Sequence, residues 1–72
     1  MTKTEIKLKV EEELIKLMTE QSENEEWFDV DTLDIDLEKT NKSLYDEWSK
    51  VYTETQRYKQ ICKVLDKFFE ED

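Results

Sequence analysis

Apolar residues recur every three or four positions near the start of the chain, as on one side of an α-helix. The stripe consists of Ile6, Val10, Leu14, Leu17 and Met18. Its spacing predicts a helix over about residues 4–21. Thr2 and Glu5 have the spacing of a capping box, which favours a helix start at this point. A second interpretation of residues 5–10 stays open, because their apolar side chains alternate with lysines as in a half-buried strand.

The C-terminal half carries a longer pattern with a period of seven. One line of positions consists of Leu37, Leu44, Val51, Tyr58 and Leu65. A second line, four residues further on, consists of Asn41, Trp48, Thr55, Cys62 and Phe69. Together the two lines have the spacing of a coiled-coil seam and predict one long amphipathic helix over residues 37–71. At about 1.5 Å per residue, this helix would be on the order of 50 Å long.

A lone helix of this length cannot bury its own apolar stripe, and the helix over residues 4–21 covers about half of it. We therefore expect the long helix to associate with a second copy of the chain or with a partner. The oligomer seam is predicted to consist of Leu37, Leu44, Trp48, Val51, Tyr58, Leu65 and Phe69. Asn41 and Thr55 are polar seam positions, which fix register and oligomeric state at a cost in stability.

Residues 22–36 follow neither period. As a strand, the segment loses its alternation at Thr32–Leu33; as a helix, its acidic side chains would scatter around the axis. We interpret it as an acidic connector that can contain one short helical or extended piece. The absence of Gly and Pro also favours helices over an all-β fold with many turns. The prediction is a single all-α domain over residues 1–72, built as a helical hairpin that can form a coiled-coil oligomer.

The negative charge of the chain is concentrated in one segment. The formal net charge is −9, and residues 20–38 contain nine acidic residues and no basic one. Residues 1–19 and 39–72 each contain equal numbers of acidic and basic side chains. The whole charge excess therefore lies between two segments that are electrically neutral.

The composition argues against an enzyme and against a metal or cofactor site. The chain has no His, which removes the usual general base and the commonest metal ligand. Asp29 and Asp31 begin like a calcium-binding loop, but Leu33 occupies the fifth position, and no Gly follows at the sixth. Cys62 is the single cysteine, so an internal disulfide is excluded. Its seam position favours a buried, inert thiol.

No apolar run is long enough to cross a membrane or to act as a signal peptide. We therefore expect a soluble protein of a reducing cytoplasm.

Two interpretations of the acidic segment remain. It is either a solubilising connector or a binding surface in which Trp27 and Phe28 are the aromatic anchors. For the two rings, packing beneath the helices is an equally good alternative. The candidate partner-binding residues are Trp27, Phe28, Asp29, Asp31, Asp34, Asp36 and Glu38.

In composition, the chain resembles small acidic phage proteins that block DNA- or RNA-handling enzymes, including anti-restriction and anti-CRISPR proteins and other DNA mimics. The likeness implies a basic, nucleic-acid-binding surface of a partner protein as the target. Direct binding of nucleic acid is disfavoured, because the long helix is neutral and the acidic connector would repel phosphate.

A second resemblance rests on Asp31-Thr32, Leu44-Tyr45-x-x-Trp48 and Val51-Tyr52. These positions, within residues 31–52, resemble the N-terminal part of phage UvsY-type recombination mediators. Those proteins are helical oligomers that help to load a recombinase onto single-stranded DNA. The resemblance implies a helical oligomer, and therefore a structural or recombination-accessory protein that acts through its seam.

Overall fold

The computed structural model of the protein describes residues 2–23 and 28–70. They form four helices: α1 (Lys3–Gln21), α2 (Val30–Thr40), α3 (Lys42–Val51) and α4 (Glu54–Glu70). The all-α class is confirmed. The predicted arrangement of one N-terminal and one long C-terminal helix is wrong, because residues 37–71 are divided among α2, α3 and α4, with the last positions outside the described residues.

Helix α1 begins and ends close to its predicted bounds. The Glu5 amide donates a hydrogen bond to Thr2 Oγ1 over 3.2 Å, so Thr2 is the N-cap that the capping box predicted. The predicted apolar stripe is buried along its whole length. Residues 5–10 are helical, and the alternative of a strand is wrong.

Asn41 separates α2 from α3. Its backbone amide donates to Leu37 O over 2.9 Å, which closes α2, and its side-chain Oδ1 accepts from the Leu44 amide over 3.2 Å, which caps α3. The backbone at Asn41 is not helical, with φ −146° and ψ 78°. The polar seam position is therefore a helix boundary, and the asparagine side chain stabilises the start of the next helix.

Thr53 separates α3 from α4 by a reciprocal capping box. Thr53 Oγ1 accepts from the Gln56 amide over 3.2 Å, and the Thr53 amide donates to Gln56 Oε1 over 3.0 Å. Because of these two breaks, the segment predicted as one long helix folds back on itself, and the described residues extend over 32 × 22 × 19 Å. The radius of gyration, 11.6 Å, is close to the ~11 Å typical of a compact domain of this size.

The core lies where α1 packs against the other three helices. Its buried residues are Ile6, Val10, Leu14, Leu17, Met18, Phe28, Leu33, Leu37, Leu44, Trp48, Ile61 and Val64. The helices α2, α3 and α4 thus bury their apolar stripes within one chain, where the single long helix could not.

A buried polar network at Trp48 connects α1, α3 and α4. The indole Nε1 donates to Gln60 Oε1 over 2.9 Å, and Gln60 Nε2 donates to Lys7 O over 3.0 Å. Both side chains are buried, so each polar group needs a partner inside the fold. The network therefore fixes the position of α4, which carries Gln60, relative to α3 and α1.

Candidate functional site

The second half of the acidic segment is helical. Asp29 is the N-cap of α2: its Oδ1 accepts from the Asp31 amide over 3.3 Å, and its carbonyl accepts from the Leu33 amide over 3.1 Å. The connector predicted over residues 22–36 allowed one short helical piece; residues 30–36 instead belong to the longer helix α2, which continues to Thr40. Asp29 and Asp31 lie at the positive end of the α2 dipole, which stabilises the start of the helix.

Three carboxylates lie along one side of α2. Asp31, Asp34 and Glu38 are spaced by three and four residues, which places them on one helical face. Asp31 and Glu38 are exposed, and Asp34 is half-buried at the edge of the core. We call these three residues the α2 acidic face. The expectation that the acids would scatter around a helix is thus wrong for them.

Asp36 lies on a different side of α2, toward α1. Its Oδ2 accepts a hydrogen bond from Gln21 Nε2 in the last turn of α1. Asp36 therefore holds α1 and α2 together and does not extend the α2 acidic face.

Asp34 joins the acidic face to α3. Its Oδ2 accepts a hydrogen bond from the Tyr45 hydroxyl over 3.3 Å. Burial raises the pKa of the Asp34 carboxyl above its usual 3.8, and the neighbouring Glu38 and Asp31 charges add to this. The Tyr45 hydrogen bond and the Arg57 charge lower it in part. Burial and the Asp34 charge likewise raise the pKa of the Tyr45 hydroxyl above 10.0.

Arg57 brings a positive charge near Asp34, but backbone oxygens hold its guanidinium. Arg57 Nη1 donates to Tyr52 O over 2.7 Å and approaches Ser49 O at 3.5 Å. The guanidinium carbon lies 5.9 Å from the Trp48 ring centroid. Arg57 thus stabilises the C-terminal end of α3 and forms no ion pair within 4 Å of a described carboxylate.

A small pocket lies beside the acidic face, between α2, α3 and the first half of α4. Its volume is about 160 Å³, and it is lined by Val30, Asp31, Asp34, Tyr45, Glu54, Arg57, Tyr58 and Ile61. Three carboxylates and one guanidinium give the lining a net negative charge. The pocket can therefore accept a positively charged side chain.

Sequence reasoning found Asp31 and Asp34 but missed the other residues of this pocket. Tyr45, Glu54 and Arg57 lie 11 to 23 positions from Asp34 in the chain and come close to it because α2, α3 and α4 fold back on each other. The helix breaks at Asn41 and Thr53 make this possible. The signals that could have revealed it are the capping residues at these two positions.

The α2 acidic face is not neutralised within the described part of the chain. The one ion pair among residues 2–23 and 28–70 joins Lys16 Nζ and Glu13 Oε1 over 3.7 Å, within α1. Lys39, in the last turn of α2, forms no ion pair with these carboxylates. The face thus stays negatively charged, with the Arg57 charge acting on Asp34 only from beyond ion-pair distance.

The two predicted aromatic anchors differ. Trp27 lies outside the described residues. Phe28 is buried, and its ring centroid lies 6.0 Å from that of Phe68 and 5.8 Å from that of Phe69. Phe28 therefore packs beneath the helices, as the alternative interpretation had it, and is not an exposed anchor.

The predicted oligomer seam is divided by the helix breaks. Leu37, Leu44 and Trp48 are buried in the core of the single chain. Val51 is exposed at the end of α3. The remaining three, Tyr58, Leu65 and Phe69, lie together on α4, with Tyr58 and Phe69 about half exposed. The prediction of a continuous seam over five heptads is therefore wrong. Only the seam residues of α4 lie on one helix with the predicted spacing.

A broader groove lies between α1 and α3. Its volume is about 670 Å³, and its lining includes four acidic side chains, Glu12, Glu13, Asp46 and Glu47, as well as Lys9 and Lys50. Its two lysines offset two of the four acids, whereas the α2 acidic face contains no basic residue. The groove is the poorer candidate for binding a basic surface.

Other predicted features can be placed as well. Among the described residues, no group of three His, Cys, Asp or Glu side chains is arranged to hold a metal ion. Cys62 is half-buried, so the prediction of a fully buried thiol is only partly met. No helix in the described ranges combines the length and apolar character needed to span a bilayer.

Comparisons of the chain with protein-family models, with curated proteins and with solved structures gave no match. The α2 acidic face and the pocket beside it are therefore the features from which a function can be inferred.

Proposed function

We propose that the chain is a non-enzymatic interaction protein of the acidic inhibitor type found in phages and mobile elements. Its α2 acidic face and the adjoining pocket engage a basic surface of a nucleic-acid-handling partner protein. The observation that carries the proposal is the row of carboxylates formed by Asp31, Asp34 and Glu38, none of which forms an ion pair within the described residues.

The geometry of α2 favours contact with a group of lysines and arginines. Asp31 and Asp34 are separated by about 4.5 Å along the helix axis, and Asp34 and Glu38 by about 6 Å. Phosphates follow each other every ~3.4 Å along one strand of duplex DNA. The face is therefore sparser than a phosphate backbone, so charge complementarity supports the proposal better than a literal copy of DNA does.

The pocket adds a place for one cationic side chain of the partner. Asp34 is half-buried there, and charge–charge attraction is stronger at such a site than in bulk water. The rigid Tyr45 and Tyr58 rings beside it offer flat apolar surfaces, on which a guanidinium packs well. An arginine of the partner therefore fits this lining better than a lysine.

A second candidate is the helical oligomer of UvsY type that acts through its seam. Tyr58, Leu65 and Phe69 on the outside of α4 favour it. Of the positions that carry the resemblance, however, Leu44 and Trp48 lie in the core of one chain, and Tyr45 binds Asp34. These residues are explained by the fold of the single chain, so the resemblance remains a prediction with less support.

Two variants with the same change in net charge test the first proposal. In the first, Asp31→Asn, Asp34→Asn and Glu38→Gln neutralise the α2 acidic face. In the control, Glu12→Gln, Glu20→Gln and Glu70→Gln neutralise three exposed acids on α1 and α4. Circular dichroism and thermal melts establish that both variants keep the fold.

The immobilised chain is then used to capture proteins from a bacterial lysate, and double-stranded DNA is added as a competitor. We expect the wild type and the control variant to capture the same nucleic-acid-binding proteins in equal amounts. Added DNA should displace these proteins, and the α2 variant should not capture them. Capture that persists with the α2 variant, or that DNA does not displace, would contradict the proposal.

A further inference from the structure

The outer side of α4 carries an apolar strip that the fold leaves partly uncovered. Gln60, Ile61 and Val64 face the core. On the other side lie Tyr58, Cys62, Leu65 and Phe69, which we call the α4 outer strip. Tyr58 is 53% and Phe69 48% exposed, and the other two are half-buried. A shallow groove of about 610 Å³ lies beside the first half of the strip, where its lining includes Tyr58, Cys62 and the flanking Lys59 and Asp66.

The spacing of the strip is that of a coiled-coil seam. Its four residues follow each other at intervals of four, three and four positions, as alternating core positions of a heptad do. The strip is thus shaped to receive another helix.

The charges beside the strip suggest which helix this is. Lys59 directly follows Tyr58, and Asp66 directly follows Leu65 seven positions later, so the two charges flank the strip on one side. Both are exposed, and neither forms an ion pair within the described residues. A second helix packed on the strip would form ion pairs with both residues if it placed an acidic side chain beside Lys59 and a basic side chain beside Asp66.

A second copy of α4 in antiparallel orientation meets this condition. With a two-fold axis between positions 63 and 64, Tyr58 packs against the second copy's Phe69, and Cys62 against its Leu65. In the same register, Lys59 lies beside the second copy's Asp66, and two-fold symmetry repeats the pair. In a parallel pair in register, the two copies' charges would lie on opposite flanks of the seam, so Lys59 would not meet the second copy's Asp66.

We propose that two copies of the chain associate through their α4 outer strips as an antiparallel pair with two-fold symmetry. One patch that is complementary to itself is what a two-fold dimer requires. Helix α4 is only about 26 Å long. Stable interfaces bury about 800 Å² on each partner. Since one helix pair offers less than this, the dimer forms at micromolar concentrations and above.

Reversal of single charges tests the pairing of Lys59 with Asp66. Lys59→Asp and Asp66→Lys each place like charges together at both ends of the dimer. We expect the dissociation constant of each variant to rise about tenfold in sedimentation equilibrium between about 5 and 500 µM. A one-to-one mixture of the two variants restores opposite charges in the mixed dimer and should associate as the wild type does. Lys67→Asp, an exposed change of the same charge away from the strip, should change the constant less than about twofold.

Disulfide trapping tests the register independently. In a Cys62→Ala background, Tyr58→Cys and Phe69→Cys together should give a covalent dimer under mild oxidation. Cysteines at positions 58 and 69 of one helix are about 16 Å apart and cannot bond to each other. Tyr58→Cys alone should give no such dimer.

Three results would overturn the proposal: a wild type that stays monomeric at the highest concentration, single charge reversals that dimerise as the wild type does, or a mixture that is not restored. A covalent dimer formed by Tyr58→Cys alone would show a parallel pair and would equally contradict it.

Discussion

The helices α2 and α4 both present one side to solvent, yet their charges differ. Helix α2 carries four acidic residues and one lysine, whereas α4 carries four basic and three acidic residues. The charges of α2 are gathered on one face as Asp31, Asp34 and Glu38. Helix α4 carries charges of both signs, with Lys59 and Asp66 on the same flank of its outer strip. One face is thus suited to a partner of opposite charge, and the other to a copy of itself.

The two helices also differ in what lies beside their charges. On α2, Asp34 is half-buried against Tyr45, and its pKa is raised. On α4, Lys59 and Asp66 stand in solvent beside the apolar outer strip. We therefore expect binding at α2 to be governed mainly by charge and binding at α4 mainly by apolar packing, with charge setting the orientation.

The largest expected effect comes from removing Trp48, the fully buried side chain of α3 that is hydrogen-bonded to Gln60 of α4. Trp48→Ala should destabilise the protein by about 3–5 kcal/mol, because it leaves a large cavity and removes the partner of Gln60 Oε1. In a domain of this size, that is most of the stability. Urea denaturation followed by circular dichroism measures the change. Ile35→Ala, which truncates an exposed side chain on α2, should change stability by less than about 0.5 kcal/mol.

A smaller effect is expected where α2 ends and α3 begins. Asn41→Ala removes the side-chain oxygen that accepts from the Leu44 amide, and it should cost about 1 kcal/mol in urea denaturation. Ser43→Ala, two positions further on and exposed, is the matched control. If both substitutions had the same small effect, Asn41 would not be the residue that divides the predicted long helix.

The smallest effect concerns pH and Asp34. The pKa of Asp34 is raised in the folded state, so the ionised carboxylate lowers the free energy of unfolding at pH 7. This loss of stability disappears as the pH falls through the raised pKa toward 3.8, because the carboxyl is then protonated. Asp34→Asn should therefore be slightly more stable than the wild type at pH 7, and this advantage should shrink toward pH 4.

An NMR titration of the Asp34 carboxyl measures its pKa directly. We expect a value above 3.8, and a higher one in Tyr45→Phe, because the hydrogen bond from Tyr45 lowers the pKa. A value at or below 3.8 in the wild type would be inconsistent with the half-buried position of Asp34.

Helix α1 could be predicted from the sequence because two local signals agree. The apolar stripe and the N-cap at Thr2 both favour a helix, and they outweigh the short alternation over residues 5–10 that a strand would also fit. In the C-terminal half, two signals disagree. The heptad lines pass through Asn41 and Thr55 without a break, whereas the N-cap at Asn41 and the capping box from Thr53 to Gln56 interrupt them. The caps determine the fold, because three shorter helices can bury their stripes against α1 within one chain.

The α2 acidic face and its pocket could be predicted only in part, because here too the structural role of single residues interrupts the sequence pattern. Asp31, Asp34 and Glu38 have helical spacing, but the inclusion of Asp29 and Asp36 in one set concealed it. Asp29 serves as a cap, and Asp36 bonds to Gln21. The proximity of Tyr45 and Arg57 to Asp34 depends on tertiary packing, which one-dimensional spacing does not contain.

Among the described residues, α2 and not α4 presents a face of carboxylates that no ion pair compensates. Titration of the ¹⁵N-labelled protein with a peptide of nine arginines tests it most directly. We predict chemical-shift changes at Asp31, Asp34, Glu38 and Tyr45 that weaken as salt is added, with α4 beyond Tyr58 unchanged. Shifts spread evenly over all four helices, or confined to the α1–α3 groove, would contradict the claim.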